Sequence, residues 1–136
     1  MRRWKMGAFM LCCVAMPVGA QAMTVADWVQ RMEALKARGS AAKGSPELMA
    51  LQTEVASAAV RYRAQIREAK EKAQRPRACP PKRVSLSSED LMLEFRKLPS
   101  ASYAGEVSVA FGEVMDKRYP CGEGEEFTPP RKAPTI

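Results

Sequence analysis

Ser45–Arg75 reads SPELMALQTEVASAAVRYRAQIREAKEKAQR, the longest uninterrupted helical pattern in the chain. Ser45-Pro46-Glu47 is a typical helix start, with a serine N-cap, a proline in the first turn and an acid that suits the helix dipole. No Gly or Pro interrupts the pattern before Pro76. The stretch predicts one helix of about 28 residues, roughly 42 Å long at 1.5 Å per residue. Its apolar residues recur every three or four positions: Leu48, Leu51, Val55, Ala58, Ala59, Tyr62, Ile66, Ala69 and Ala73.

A shorter helix is predicted on the N-terminal side. Thr24, with Asp27 three residues later, resembles a capping box. Gly39 suits the position just past a helix end, so the predicted helix runs from about Val25 to Arg38, followed by a flexible connector over 39–45. Its apolar face comprises Val25, Trp28, Val29, Met32 and Leu35.

Two further helices are predicted after the long one. Residues 75–82 (RPRACPPK) contain three prolines and cannot form regular helix. Ser87 or Ser88 then caps a third helix, which ends at Pro99. Ser100 starts a fourth helix, which ends at Tyr119-Pro120. The predicted fold class is therefore all-α, a small bundle of about four helices.

The first 22 residues have the pattern of a secretory signal peptide. Arg2, Arg3 and Lys5 precede an apolar run over 6–18, and residues 19–22 (GAQA) end in the A-x-A spacing that signal peptidase requires. The apolar run is too short to span a membrane. We therefore predict cleavage near Ala22, periplasmic localisation, a helical domain over 23–121 and a disordered tail over 122–136.

Cleavage would change both the charge and the cysteine content. The full chain has 22 Lys+Arg, 15 Asp+Glu and no His, for a net charge of +7. Removing residues 1–22 takes away three bases and no acid, which leaves +4. It also removes Cys12 and Cys13. The remaining pair, Cys79 and Cys121, indicates one intramolecular disulfide in an exported chain; free thiols or intermolecular bridges are the alternative.

The absence of His excludes several kinds of site. It rules out Ser-His-Asp triads, Cys-His dyads and histidine-ligated metals. The chain also has no G-x-S-x-G, P-loop or dinucleotide fingerprint. The carboxylates are scattered, and Glu89-Asp90 suits the first turn of a helix. We therefore predict a non-enzymatic protein without a metal or cofactor.

Positive charge is concentrated in residues 61–83, which hold nine bases and two acids. One interpretation is a solvated helix face with pairs such as Glu68–Lys72. The other is a docking surface for an acidic protein or an anionic envelope component, with a homodimer also allowed. Nucleic acid is disfavoured because the chain is predicted to be exported and the segment lacks interleaved aromatics. The candidate partner-binding residues are Arg63, Arg67, Lys70, Arg75 and Arg77.

Residues 55–121 resemble the Rap/Tai-type immunity proteins. The resemblance rests on a C-P…V-[ST]-L…P…[FY]-P-C frame, here Ala78-Cys79-Pro80, Val84-Ser85-Leu86, a short helix ending at Pro99, and Arg118-Tyr119-Pro120-Cys121. Members of that family are exported, disulfide-bonded and all-helical, and they neutralise peptidoglycan amidase effectors delivered by type VI secretion. The resemblance carries over Cys79 and Cys121 as the structural bridge.

Two functions follow from these patterns. The first is an exported periplasmic binding protein of immunity type, which inhibits a cell-wall amidase or another toxin effector. The alternative is a small envelope-stress or chaperone-like helical protein.

Overall fold

The computed structural model describes residues 22–122, which form an all-α bundle, as predicted. The predicted signal peptide over 1–22, except for its last residue, and the predicted tail from residue 123 onwards lie outside the described residues. No helix in the described range is long and apolar enough to cross a bilayer. The helices are α1 (Val25–Ala37), α2 (Pro46–Glu71), α3 (Ser88–Arg96), α4 (Ser100–Tyr103) and α5 (Val107–Arg118).

The starts of α1, α2 and α3 carry the side-chain caps that their sequences predict. Thr24 Oγ1 accepts a 3.1 Å hydrogen bond from the backbone N–H of Asp27, and Ser45 caps α2 in the same way. At α3, Ser87 and Asp90 form a reciprocal capping box. Local side-chain chemistry therefore fixes where these helices begin.

Helix α2 ends at Glu71, five residues before Pro76. Ala73 takes a left-handed φ of 55°. The N–H of Gln74 donates to the carbonyl of Ala69 at 2.8 Å, and that of Ala73 donates to Lys70 at 3.1 Å. This pair of bonds is a Schellman cap, which usually has glycine at the left-handed position.

The connector after α1 is partly ordered. Gly39–Ala42 forms a turn of 3₁₀ helix, and Ala42 is buried in the core. Gly39 has a φ of 58°, as expected for the residue that follows a helix end.

The predicted single helix from Ser100 is instead two helices, α4 and α5. Between them, the carbonyl of Gly105 accepts a 3.0 Å bond from Val25 N–H, and Val107 N–H donates to the carbonyl of Met23 at 3.0 Å. These bonds form an isolated antiparallel bridge between Thr24 and Glu106. Pairing with a distant segment satisfies backbone groups that a continuous helix would have bonded internally.

The core lies where α1, α2, α3 and α5 meet. The Trp28 ring meets the edge of Phe95 with centroids 5.4 Å apart, and Trp28 Nε1 donates to the carbonyl of Leu51 at 3.2 Å. Tyr62 packs edge-on against Phe111 at 6.1 Å, which joins α2 to α5. Every buried side-chain nitrogen or oxygen in residues 22–122 has a hydrogen-bond partner.

Cys79 and Cys121 form a disulfide, as predicted, with Cα atoms 4.9 Å apart. The backbone N–H of Cys79 also donates to the carbonyl of Tyr119 at 2.9 Å. The bridge therefore ties the loop after α2 to the C-terminal end of α5.

Candidate partner-binding groove

An apolar groove of about 260 Å³ runs beside α2. One wall is a face of α2, and the opposite wall is the loop from Pro80 to Ser87 with the start of α3. The buried side chains of Phe111 and Met115, from α5, line it as well. Its lining comprises Gln52, Val55, Ala56, Ala59, Tyr62, Arg63, Pro80, Val84, Leu86, Ser87, Ser88, Leu91, Phe111 and Met115.

The loop wall is held at both ends. The disulfide of Cys79 fixes its beginning beside α5, and the Ser87 cap joins its end to α3. Between these points, an Arg63 guanidinium nitrogen donates to the carbonyl of Lys82 at 3.1 Å, which ties the loop to α2. Val84 and Leu86 pack against the core with partly buried side chains. The groove wall is therefore held in place by contacts within the fold.

A polar cluster anchors the groove end nearest the disulfide. Tyr62 Oη donates to Asp116 at 2.8 Å, and Arg77 Nε donates to the other oxygen of the same carboxylate at 2.6 Å. The Arg77 guanidinium also lies over the Tyr62 ring, 5.7 Å from its centroid. We call these three residues the Asp116 latch, because they join α2, the loop and α5.

The ionisation of the latch follows from its contacts. Burial, and then the hydrogen bond to Asp116, raise the pKa of Tyr62 well above its ordinary value. The hydroxyl therefore stays protonated and donates. The hydrogen bond to Asp116 raises the pKa of Arg77, so the guanidinium keeps its charge.

The structure divides the five candidate basic residues into two groups. Arg77 is engaged in the Asp116 latch, although its side chain is 46% exposed. Arg63, Arg67 and Lys70 lie on one exposed side of α2, with Arg63 at the groove, and Arg75 is exposed in the loop. Within the described range, neither Lys70 nor Arg75 forms an ion pair, and Arg67 has only a 3.7 Å contact with Glu71.

The solvated pair expected on α2 is also present. Lys72 Nζ lies 2.5 Å from Glu68 Oε1. This bond raises the pKa of Lys72 and lowers that of Glu68. Both side chains are 60% exposed, so the pair adds little to stability. The basic segment thus contains solvated pairs as well as cations available to a partner.

The groove could not be predicted from the sequence. Its lining comes from three segments that are distant in sequence, over 52–63, 80–91 and 111–115, and only their packing brings them together. The one local signal was Val84-Ser85-Leu86, where apolar residues alternate in a loop outside any helical pattern. Such residues need an apolar surface to pack on, and α2 and α5 provide it.

No protein-family model, curated protein or solved structure matches the chain. Among residues 22–122, no group of three or more Cys, Asp or Glu side chains is placed to hold a metal ion. The groove and its cations are therefore interpreted from their own chemistry.

Proposed function

We propose that this chain is an exported, periplasmic, non-enzymatic binding protein that inhibits a cell-wall amidase or another toxin effector, as immunity proteins do. The observation that carries the proposal is a preformed apolar groove beside exposed cations on a disulfide-bonded frame. The immunity role and the location rest on the family resemblance around Cys79 and Cys121 and on the signal-peptide pattern.

The shape of the groove supports protein binding. A volume of about 260 Å³ lies just under the usual range for small-molecule sites, and has room for one or two apolar side chains of a partner. The loop wall is already held by the disulfide and by the Arg63–Lys82 bond. Because little ordering remains to be done on binding, such a site loses less conformational entropy than a flexible one.

The charge around the groove supports an acidic partner. Arg63, Arg67 and Lys70 give this side of α2 a positive field, which speeds the approach of an acidic surface. Exposed ion pairs contribute only a few tenths to about 1 kcal/mol each. The apolar groove would therefore supply most of the affinity, and the cations would set selectivity and association rate.

A competition experiment tests the function. A strain deleted for this chain is grown beside siblings that secrete type VI effectors, and beside siblings whose secretion is inactivated. We expect the deletion strain to be lost only beside the secreting siblings. Expression of the full chain should restore survival, whereas a chain without residues 2–21 should not, because it would stay in the cytoplasm.

One groove variant and one matched control make the same experiment more specific. Ala59→Trp would fill the groove from α2, and Val109→Trp places the same side chain at an exposed position on α5. We expect Val109→Trp to restore survival and Ala59→Trp to fail at equal protein level. Survival of the deletion strain beside secreting siblings would refute the immunity function.

A further inference from the structure

Helix α2 carries a second seam that no element in residues 22–122 covers. Its members are spaced alternately by four and three residues, the spacing at which helices pack side by side. All seven side chains are exposed, among them Met49 at 60% and Val60 at 69%. We call this the outer seam of α2, and it consists of Met49, Thr53, Ala56, Val60, Arg63, Arg67 and Lys70.

The outer seam has two chemically different halves. The N-terminal half presents Met49, Ala56 and Val60, and the C-terminal half presents Arg63, Arg67 and Lys70. From Met49 to Lys70 the seam is roughly 32 Å long at 1.5 Å per residue. Met49 and Val60 are two of the four large apolar side chains that are exposed in residues 22–122, and both lie on this seam.

The groove opens beside the middle of the seam. Ala56 and Arg63 belong to both the seam and the groove lining. A helix lying along the seam would therefore pass the groove mouth between an apolar half and a basic half. Insertion of one bulky apolar side chain there would fix its register.

We infer that the outer seam binds an amphipathic helix of an acidic partner. This helix carries apolar residues opposite Met49 and Val60, one bulky apolar side chain in the groove, and Asp or Glu opposite Arg63, Arg67 and Lys70. The inference rests on the proposed binding function and specifies the chemistry of the partner.

Charge argues against a second copy of this chain as the occupant. In a parallel pair, the three cations of each copy would face the cations of the other. In an antiparallel pair, they would face Met49 and Val60 and lose water without gaining a partner. An acidic helix satisfies both halves of the seam at once.

Synthetic helical peptides test the inference. Each has about 24 residues, enough to span the seam at 1.5 Å per residue. The seam-facing positions are Leu in one half and Glu in the other, with one Phe at the centre. The Glu half is N-terminal in one version and C-terminal in the second, and matched versions carry Lys in place of Glu. Binding to the chain from residue 23 onwards is measured by fluorescence anisotropy.

We expect one of the two Glu peptides to bind at least about tenfold more tightly than its Lys counterpart, since three exposed pairs change sign. The double variant Arg67→Glu, Lys70→Glu should remove most of this preference while it keeps the Arg63–Lys82 bond. The control variant Arg31→Glu, Lys117→Glu, which alters exposed cations on α1 and α5, should leave it unchanged. Added salt should reduce the affinity of the Glu peptide.

Val60→Asp and Val109→Asp form a second matched pair, because both valines are exposed on helices, at 69% and 58%. Thermal unfolding checks that each variant folds. Only Val60→Asp should weaken the binding of the Glu peptide. Any of four results would overturn the inference. They are equal binding of Glu and Lys peptides, equal effects of the two Asp variants, a dimer abolished by Arg67→Glu, Lys70→Glu, and seam-dependent binding to anionic vesicles without peptide binding.

The peptide and competition experiments test the two proposals independently. Peptide binding with no effect of deletion among siblings would retain the seam and reject the immunity function. Protection among siblings with no selective peptide binding would retain the immunity function and place the partner on another surface.

Discussion

Ala73 occupies the left-handed position that ends α2, with a φ of 55°. This conformation costs an L-residue about 1 kcal/mol, and glycine avoids the cost. We predict that Ala73→Gly raises the free energy of unfolding by up to about 1 kcal/mol. Chemical denaturation measures the change. Ala50→Gly, an exposed position inside α2, is the control and should lower stability by about 1 kcal/mol; a loss at both positions would contradict the prediction.

Gly112 is the buried glycine of α5 that faces the Asp116 latch. A Cβ added there would lie 3.5 Å from an Arg77 nitrogen and 3.6 Å from the Tyr62 ring, which are ordinary contacts. We predict that Gly112→Ala stabilises the fold by up to about 1 kcal/mol, because alanine favours helix over glycine. Gly112→Leu should instead destabilise it, since the larger side chain would displace Arg77 from Asp116. Denaturant unfolding midpoints of both variants measure these changes. A lower stability of Gly112→Ala than of the wild-type chain would contradict the prediction.

The position of Arg77 could be predicted from the sequence, but its contact with Asp116 could not. The sequence placed it correctly in a loop after α2 and grouped it with the partner-binding cations. It did not reveal that Asp116, 39 positions away, lies within hydrogen-bond distance. Whether a basic side chain is paired or available to a partner depends on which carboxylate the tertiary fold brings near it. That information was absent from the local pattern, whereas the caps at Thr24, Ser45 and Ser87 depend on neighbours and were predictable.

Helix α3 begins at a cap that depends on an ionised carboxylate, Asp90. Hydrogen bonds from the Ser87 hydroxyl and then from its backbone N–H hold the pKa of Asp90 below its ordinary value. The folded state thus binds this proton less readily than the unfolded chain. The stabilisation is complete above the ordinary carboxyl pKa of about 4 and is lost as the pH falls through the lowered value.

We therefore predict that Asp90→Asn reduces the loss of stability between about pH 5 and about pH 3. Thermal unfolding at the two pH values measures it. Ser87→Ala removes the main donor to the carboxylate and should also reduce the loss. If both variants lose as much stability on acidification as the wild-type chain, the cap does not carry this pH dependence.

The break between α4 and α5 shows where prediction of elements reached its limit. The apolar pattern from Tyr103 to Met115 continues through the break and favours one helix. Gly105 weakened that helix, but the break also requires Met23 and Val25 as hydrogen-bond partners. Those residues lie about 80 positions earlier in the chain, so only the assembled bundle decides the outcome.

Three links hold the loop after α2 in place: the disulfide, the Asp116 latch and the Arg63–Lys82 bond. Each joins the segment after α2 to a helix, and together they hold the outer wall of the groove. The frame of Cys79 and Cys121 was predictable from the cysteine count. The groove was not, because it exists only when α2, the loop, α3 and α5 are packed together.

Removal of the disulfide should therefore affect stability and binding together. The bridge spans 42 positions, and the chain-entropy relation gives a loss of roughly 4 kcal/mol when such a loop is opened. We predict this loss for Cys79→Ser, Cys121→Ser by denaturant unfolding, and a similar loss for the wild-type chain in reductant.

The same variant tests the groove wall. Under conditions where the variant stays folded, the Glu peptide should bind it less tightly, because Pro80 and Val84 lose their anchor. Unchanged unfolding of the wild-type chain in reductant would show that the bridge does not stabilise the fold. Unchanged peptide affinity in the folded variant would show that the latch and the Arg63–Lys82 bond hold the wall without it.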